Sequence, residues 1–165
     1  MSRKYTGNSD GAAKGKRPGT EKFVDICELL YKMKNLGTWV VRDMRGKPGQ
    51  LSVHATARAM DLGYDPKKMN RAAVESLCET FAANADLLGI EEIHDYSYKG
   101  PTGVFGRGWR NSRNAWKVYD AKDNAGTPGG KWIHLELEPK FADDPAKVKA
   151  AFDKLLASVA QPPQA

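Results

Sequence analysis

Long apolar runs are missing from this chain of 165 residues. No stretch approaches the roughly 20 consecutive apolar residues that a membrane-spanning helix needs. The N-terminal region also lacks the apolar core segment of a secretory signal. We therefore expect no membrane partner and no secretory leader.

Cysteine and histidine are scarce, with two and three copies respectively. Cys27 and Cys78 have neither metal-ligand spacing nor a Cys-x-x-Cys pairing, which excludes a thiolate zinc site and a disulfide scaffold. We expect both to be reduced core residues, with a buried disulfide as the alternative. Any metal site in this chain must therefore draw on few imidazoles.

The rest of the composition is ordinary for a globular protein, with 41% hydrophobic and 28% charged residues. The length of 165 residues suits one domain. The net charge of +6 favours polyanions such as nucleic acid or an anionic cell wall, without choosing among them. Residues 1–20 are rich in Gly, Lys and Arg and predict a flexible basic N-terminal arm, which could make self-assembly contacts. The folded domain is expected over residues 21–160.

The hydrophobic periodicity alternates irregularly between helical and extended patterns. Helices are predicted from Glu21 to Gly37, from Asp65-Pro66 to Gly89, and after Asp144-Pro145. Residues 38–41, 90–93, 116–119 and 132–138 are predicted strands, whereas residues 97–114 are predicted to form a Gly- and Arg-rich loop. This order predicts an α+β fold with a small, mostly antiparallel sheet flanked by helices.

A metal site is indicated by two separate segments. Ser52 and His54 alternate so that both face one side of a strand, and alanines follow that allow a tight turn towards Asp61. His134 lies far downstream on a predicted strand. Two imidazoles and one carboxylate can bind zinc and leave a fourth position open, as catalytic zinc sites do.

The same residues resemble the zinc D-alanyl-D-alanine carboxypeptidase family of peptidoglycan hydrolases, which includes L-alanyl-D-glutamate endopeptidases of phage lysins. The family signature is Ser-x-His-x-x-Gly-x-Ala-x-Asp with a later His in a strand. This chain has Ser52, His54, Ala57 in place of Gly, Asp61, and then His134. The resemblance spans about residues 38–140. It implies a zinc-peptidase-like single domain with zinc on His54, Asp61 and His134.

The resemblance also implies a peptidoglycan peptide substrate and a phage-encoded protein. Such a protein is found in the host cytoplasm before lysis or in the virion, and acts at the bacterial cell wall. The family usually has an Asp or Glu three residues before the final His, as the general acid/base. Lys131 occupies that position here.

Two residues are the candidates for the catalytic roles. Glu136 lies two residues past His134, so it faces the same side of the strand and is the first candidate for proton transfer. Arg42 is the candidate for stabilising the oxyanion, because a guanidinium offers several fixed donors.

Two other functions remain open at this point. A catalytically degenerate peptidase fold, serving as a virion or wall-binding component, would account for Lys131 and the basic arm. A nucleic-acid-binding module is supported by charge alone, and we do not favour it.

Overall fold

The structure is a computed structural model that describes residues 3–120 and 129–160. In those residues it is an α+β fold, as the sequence predicts, with an antiparallel six-stranded sheet and a separate two-stranded hairpin. No helix in the described ranges is long and apolar enough to cross a membrane.

The strands are numbered in chain order. They are β1 (Lys34–Gly37), β2 (Asp43–Met44), β3 (Lys47–Leu51), β4 (Ala59–Gly63), β5 (Ile90–Lys99), β6 (Phe105–Arg110), β7 (Ala115–Val118) and β8 (Trp132–Leu137). The large sheet has the order β1-β4-β8-β5-β6-β7, and β2 pairs with β3. The last strand in sequence, β8, therefore lies between β4 and β5 at the centre of the sheet.

The helices are α1 (Pro18–Tyr31), α2 (Arg71–Ala83), α3 (Ala85–Leu88), α4 (Pro139–Ala142) and α5 (Pro145–Ala160). Their apolar faces form one core, in which the Phe23 ring packs edge-on against Phe81 and Phe152 at centroid distances of 5.8 and 4.8 Å. As predicted, α5 begins after Asp144, whose carboxylate accepts from the backbone N–H of Lys147 at 2.9 Å.

The predicted helix from Asp65-Pro66 to Gly89 begins later and is divided in two. Its first part starts at Arg71, because the side chain of Asn70 accepts from the backbone N–H of Ala73 and caps the helix there. Gly89 ends the second part in the left-handed region, at φ 68°.

The two faces of the central strands differ in chemistry. On β4 and β8 the apolar residues Met60, Leu62, Ile133 and Leu135 are fully buried in the core against the helices. The residues that alternate with them, such as Asp61 and His134, line a pocket on the other side. One face of the sheet therefore packs in the core, and the opposite face presents polar side chains to the pocket.

The predicted strand at residues 38–41 is wrong. The strand is Lys34–Gly37, which pairs with β4, and Val40 and Val41 lie outside it with about half of their surface exposed. β-Branched residues favour a strand only where a neighbouring strand is positioned to pair with them.

The predicted loop at residues 97–114 is also wrong, because β5 continues to Lys99 and β6 lies within that segment. Gly106 and Gly108 suggested a loop, yet they belong to the sheet. A Cβ at Gly106 would lie 2.3 Å from the Tyr119 ring, so glycine here permits a close approach of an aromatic side chain.

The prediction of a flexible arm over residues 1–20 differs from the placement observed. Residues 3–17 lie against the domain, and α1 already begins at Pro18. Polar contacts hold the segment in place. The Arg3 guanidinium donates to the carbonyl of Ile90 at 2.7 Å, and the Thr6 hydroxyl donates to Glu91 at 2.9 Å.

Candidate metal centre

The register of the three central strands aligns the polar side chains across the sheet. Asp61 on β4 is opposite His134 on β8, and His134 is opposite His94 on β5. Residues paired in this way point to the same face, with Cβ atoms about 5 Å apart. The sheet thus presents a row of one carboxylate and two imidazoles.

His54 reaches this row from a short 3-10 turn over Val53–Thr56, where the sequence predicted a strand. The Ser52 hydroxyl accepts from the backbone N–H of His54 at 3.3 Å and begins the turn. Ala57 ends it in the left-handed region at φ 57°. That conformation favours glycine and costs an L-residue roughly 1–2 kcal/mol, so the turn is maintained at this position despite its strain.

The three predicted metal ligands are brought together. Nε2 of His54 lies 3.2 Å from Oδ2 of Asp61, and Nδ1 of His134 lies 2.8 Å from Oδ1 of the same carboxylate. One ligand atom from each of the three residues lies within 4.8 Å of the others, so the group could hold a metal ion. The two imidazole rings are 5.0 Å apart between centroids.

The electrostatics of the group are those of a site that attracts a cation. Burial opposes the charged form of His134, but hydrogen bonds to Asp61 and Glu136 outweigh it and raise its pKa to about 10. Burial also favours neutral Asp61, yet hydrogen bonds from His134 and His54 hold the pKa of that carboxyl well below its usual range. Asp61 is therefore ionised, and a proton on His134 occupies the place that a metal would take.

This donor set fits zinc. Zinc takes imidazole nitrogen and carboxylate oxygen at about 2.0–2.2 Å, which puts two ligands of a tetrahedral ion roughly 3.4 Å apart. The two imidazole nitrogens lie 2.8 and 3.2 Å from different oxygens of the Asp61 carboxylate, about 0.6 and 0.2 Å closer than that spacing.

Glu136 lies beside His134, as its spacing predicted, with Oε1 3.1 Å from Nε2 of the imidazole. Its other oxygen accepts from the Tyr5 hydroxyl at 2.7 Å. These contacts describe a carboxylate that orients a ligand histidine. The proton-transfer role predicted for Glu136 stays a prediction.

Sequence reasoning missed Tyr5, because it lies in a polar segment that carries no structural pattern.

A second group, His94, His134 and Glu136, also has ligand atoms within 4.8 Å of one another. It shares His134 with the first group. A neutral imidazole has a single lone pair, so His134 can serve only one of the two groups at a time while it keeps its proton. The two groups are therefore alternatives for one ion.

The row lines an open pocket of about 690 Å³. The predicted oxyanion residue Arg42 lines it too, next to Arg45 and Lys47 of the β2–β3 hairpin. Lys131 is exposed and is not among the described residues that line the pocket. Glu92, in the same pocket, is ion-paired with Arg110 at 2.6 Å.

No family model, curated protein or solved structure matches this chain. The resemblance to the zinc peptidases therefore stays a prediction that depends on the residues of the two motifs.

Proposed function

We propose that this chain is a zinc-dependent peptidase that hydrolyses the stem peptides of peptidoglycan. One observation carries the proposal. Three ligand side chains from separate segments converge in the wall of an open pocket, so that a substrate can reach the ion they would hold. A closed structural zinc site would have four protein ligands and no adjoining pocket.

His54, Asp61 and His134 would hold the zinc ion. When bound in such a site, zinc polarises a carbonyl and lowers the pKa of a water molecule. The first contribution of the chain itself is to keep the three ligands in place before the ion arrives. It does so through the hydrogen bonds that Asp61 accepts from both imidazoles.

The rim of the pocket is suited to an anionic peptide. Arg42, Arg45 and Lys47 line the same pocket as the carboxylates of the sheet face. We assign Arg42 to the oxyanion that forms at the scissile carbonyl, because it lines both this pocket and the smaller cavity that His54 and Asp61 share. The net charge of +6 adds attraction to an anionic cell wall.

Glu136 remains our candidate for moving the proton from water to the leaving amine. It is 4% exposed and fixed by two hydrogen bonds, so its position is defined before a substrate binds. Lys131 is not among the described residues that line the pocket, so proton transfer in this proposal depends on Glu136.

Cell-wall hydrolysis tests the proposal. Purified walls of several peptide types are incubated with the protein, and released amino groups are counted with and without a chelator. We expect the wild-type protein to release amino groups from the walls. The chelator should stop this release, and added zinc should restore it. The His54→Ala variant should release none. A protein that binds zinc but cleaves no wall type would overturn the peptidase assignment and leave the wall-binding role.

A further inference from the structure

We propose that Arg45 and Lys47, at the tip of the β2–β3 hairpin, form a subsite that binds a free carboxylate of the peptide substrate. This inference rests on the proposed function and deepens it, because it names a chemical group that the substrate must carry and the two side chains that recognise it. Arg42, which directly precedes the hairpin, keeps its separate assignment to the oxyanion.

The hairpin brings the two cations together. Met44 pairs with Lys47, so β2 and β3 are joined by a two-residue turn that consists of Arg45 and Gly46. Gly46 has φ 73°, a conformation that favours glycine at the second position of such a turn. The turn therefore places Arg45 at the tip and Lys47 directly after it. Both side chains are exposed, and both line the pocket of the metal centre.

Neither cation is neutralised within the part of the chain that the structure describes. Arg45 and Lys47 form no ion pair with any described carboxylate, whereas Arg110, which lines the same pocket, is paired with Glu92 at 2.6 Å. Asp43 is the one acidic residue of the hairpin, and its carboxylate accepts from the backbone N–H of Gly49 at 2.7 Å instead. The positive charge of the hairpin tip is therefore available to a ligand.

Charge complementarity favours a carboxylate as the occupant. An arginine and a lysine close together attract an anion and offer several N–H donors to its oxygens. On the sheet face of the same pocket, Glu136 is held by Tyr5 and His134 and repels a second carboxylate. A peptide that presents its scissile carbonyl to the metal ligands therefore keeps its own carboxylate on the hairpin side of the pocket.

Pairs of synthetic stem peptides test the inference. The two members of a pair differ at one carboxyl group, which is free in one and a carboxamide in the other, and each carboxyl group is exchanged in turn. Titration calorimetry measures binding to the zinc-free full chain, and release of amino groups gives kcat/KM of the zinc-loaded chain. For at least one pair, we expect the free acid to bind and react about tenfold better. That factor is the low end for a hydrogen bond to a charged group, because both side chains are exposed.

The double variant Arg45→Gln, Lys47→Gln shows whether the hairpin makes this distinction. It should lose the preference for the acid and treat the amide as the wild-type chain does, a pattern that general damage to the fold does not produce. Lys67→Gln with Lys68→Gln is the matched control. It removes the same two charges from exposed positions that are not among the pocket residues, and it should keep the wild-type preference.

The outcomes separate this inference from the proposed function. Equal binding and cleavage of acid and amide, or a preference that persists in the hairpin variant, would overturn the inference and leave the peptidase intact. Hairpin-dependent binding of the acid without any cleavage would support the subsite and overturn the peptidase. Salt-sensitive binding of duplex DNA that the hairpin variant loses, with no preference between the peptides, would overturn the inference in favour of a nucleic-acid contact. A chain that neither binds nor cleaves any peptide would overturn both.

Discussion

Proton competition at His134 leads to a quantitative prediction for the pH dependence of metal binding. In the metal-free protein this imidazole is hydrogen-bonded to Asp61 at 2.8 Å and to Glu136 at 3.1 Å, and its pKa is raised to about 10. A metal needs the lone pair of Nδ1, so it must displace the proton held there. Raising the pH removes this competitor and tightens binding.

The size of the effect follows from the pKa. At pH 7.5 the imidazole is about 2.5 units below its pKa, so roughly one molecule in 300 has a free lone pair, and the apparent affinity is reduced by that factor. Between pH 7 and 9 the dissociation constant should fall about tenfold for each unit of pH. One proton should be released for each metal bound.

Titration calorimetry in buffers of different ionisation enthalpy counts the protons released, and chelator competition gives the dissociation constant at each pH. Glu136→Gln removes one of the two carboxylates that raise the pKa of His134, so its affinity should level off at a lower pH. Glu92→Gln removes a carboxylate that is paired with Arg110 instead, and should keep the wild-type slope. A wild-type dissociation constant that does not change from pH 7 to 9 would refute the reasoning.

Three further variants test separate parts of the account. If Glu136 transfers the proton, Glu136→Gln should lower the rate of wall hydrolysis by a factor of about 10²–10⁴. If Glu136 only orients His134, the factor should be about 10–100. Steady-state rates distinguish the two roles. Arg42→Ala should lower kcat by about 10²–10³ with unchanged zinc affinity, and a parallel loss of zinc would contradict its assignment to the oxyanion. Gly89→Ala should destabilise the fold by at least about 1–2 kcal/mol in urea unfolding, because Gly89 has φ 68° and its new Cβ would meet the Phe141 ring at 2.1 Å; wild-type stability would contradict the packing described.

The positions of the candidate ligands Asp61 and His134 could be predicted from the sequence, because strand periodicity separates the polar face of each strand from its apolar face. On β8 the apolar residues Ile133 and Leu135 alternate with His134, which identifies both the buried face and the face that carries the ligand. Asp61 on β4 follows the same rule between two buried apolar neighbours. Periodicity of this kind is a local property, so it can be read without knowing which strands pair.

What could not be predicted depends on contacts between distant segments. Gly106 and Gly108 are typical of a loop until the Tyr119 ring is known to pack on them. The hydrogen bond of Tyr5 is made to a carboxylate 131 positions away in the chain. Neither partner is indicated by the residues nearby in sequence, so propensity favoured a loop in the first case and an arm in the second.

The central claim is that His54, Asp61 and His134 bind one divalent ion. X-ray absorption spectroscopy of the zinc-loaded chain, with elemental analysis of wild type and His54→Ala, tests it most directly. We predict one zinc per chain with two imidazole nitrogens and a carboxylate oxygen at about 2.0–2.2 Å, and loss of that zinc in His54→Ala. A wild-type chain without zinc, or a zinc site that is unchanged in His54→Ala, would contradict the account.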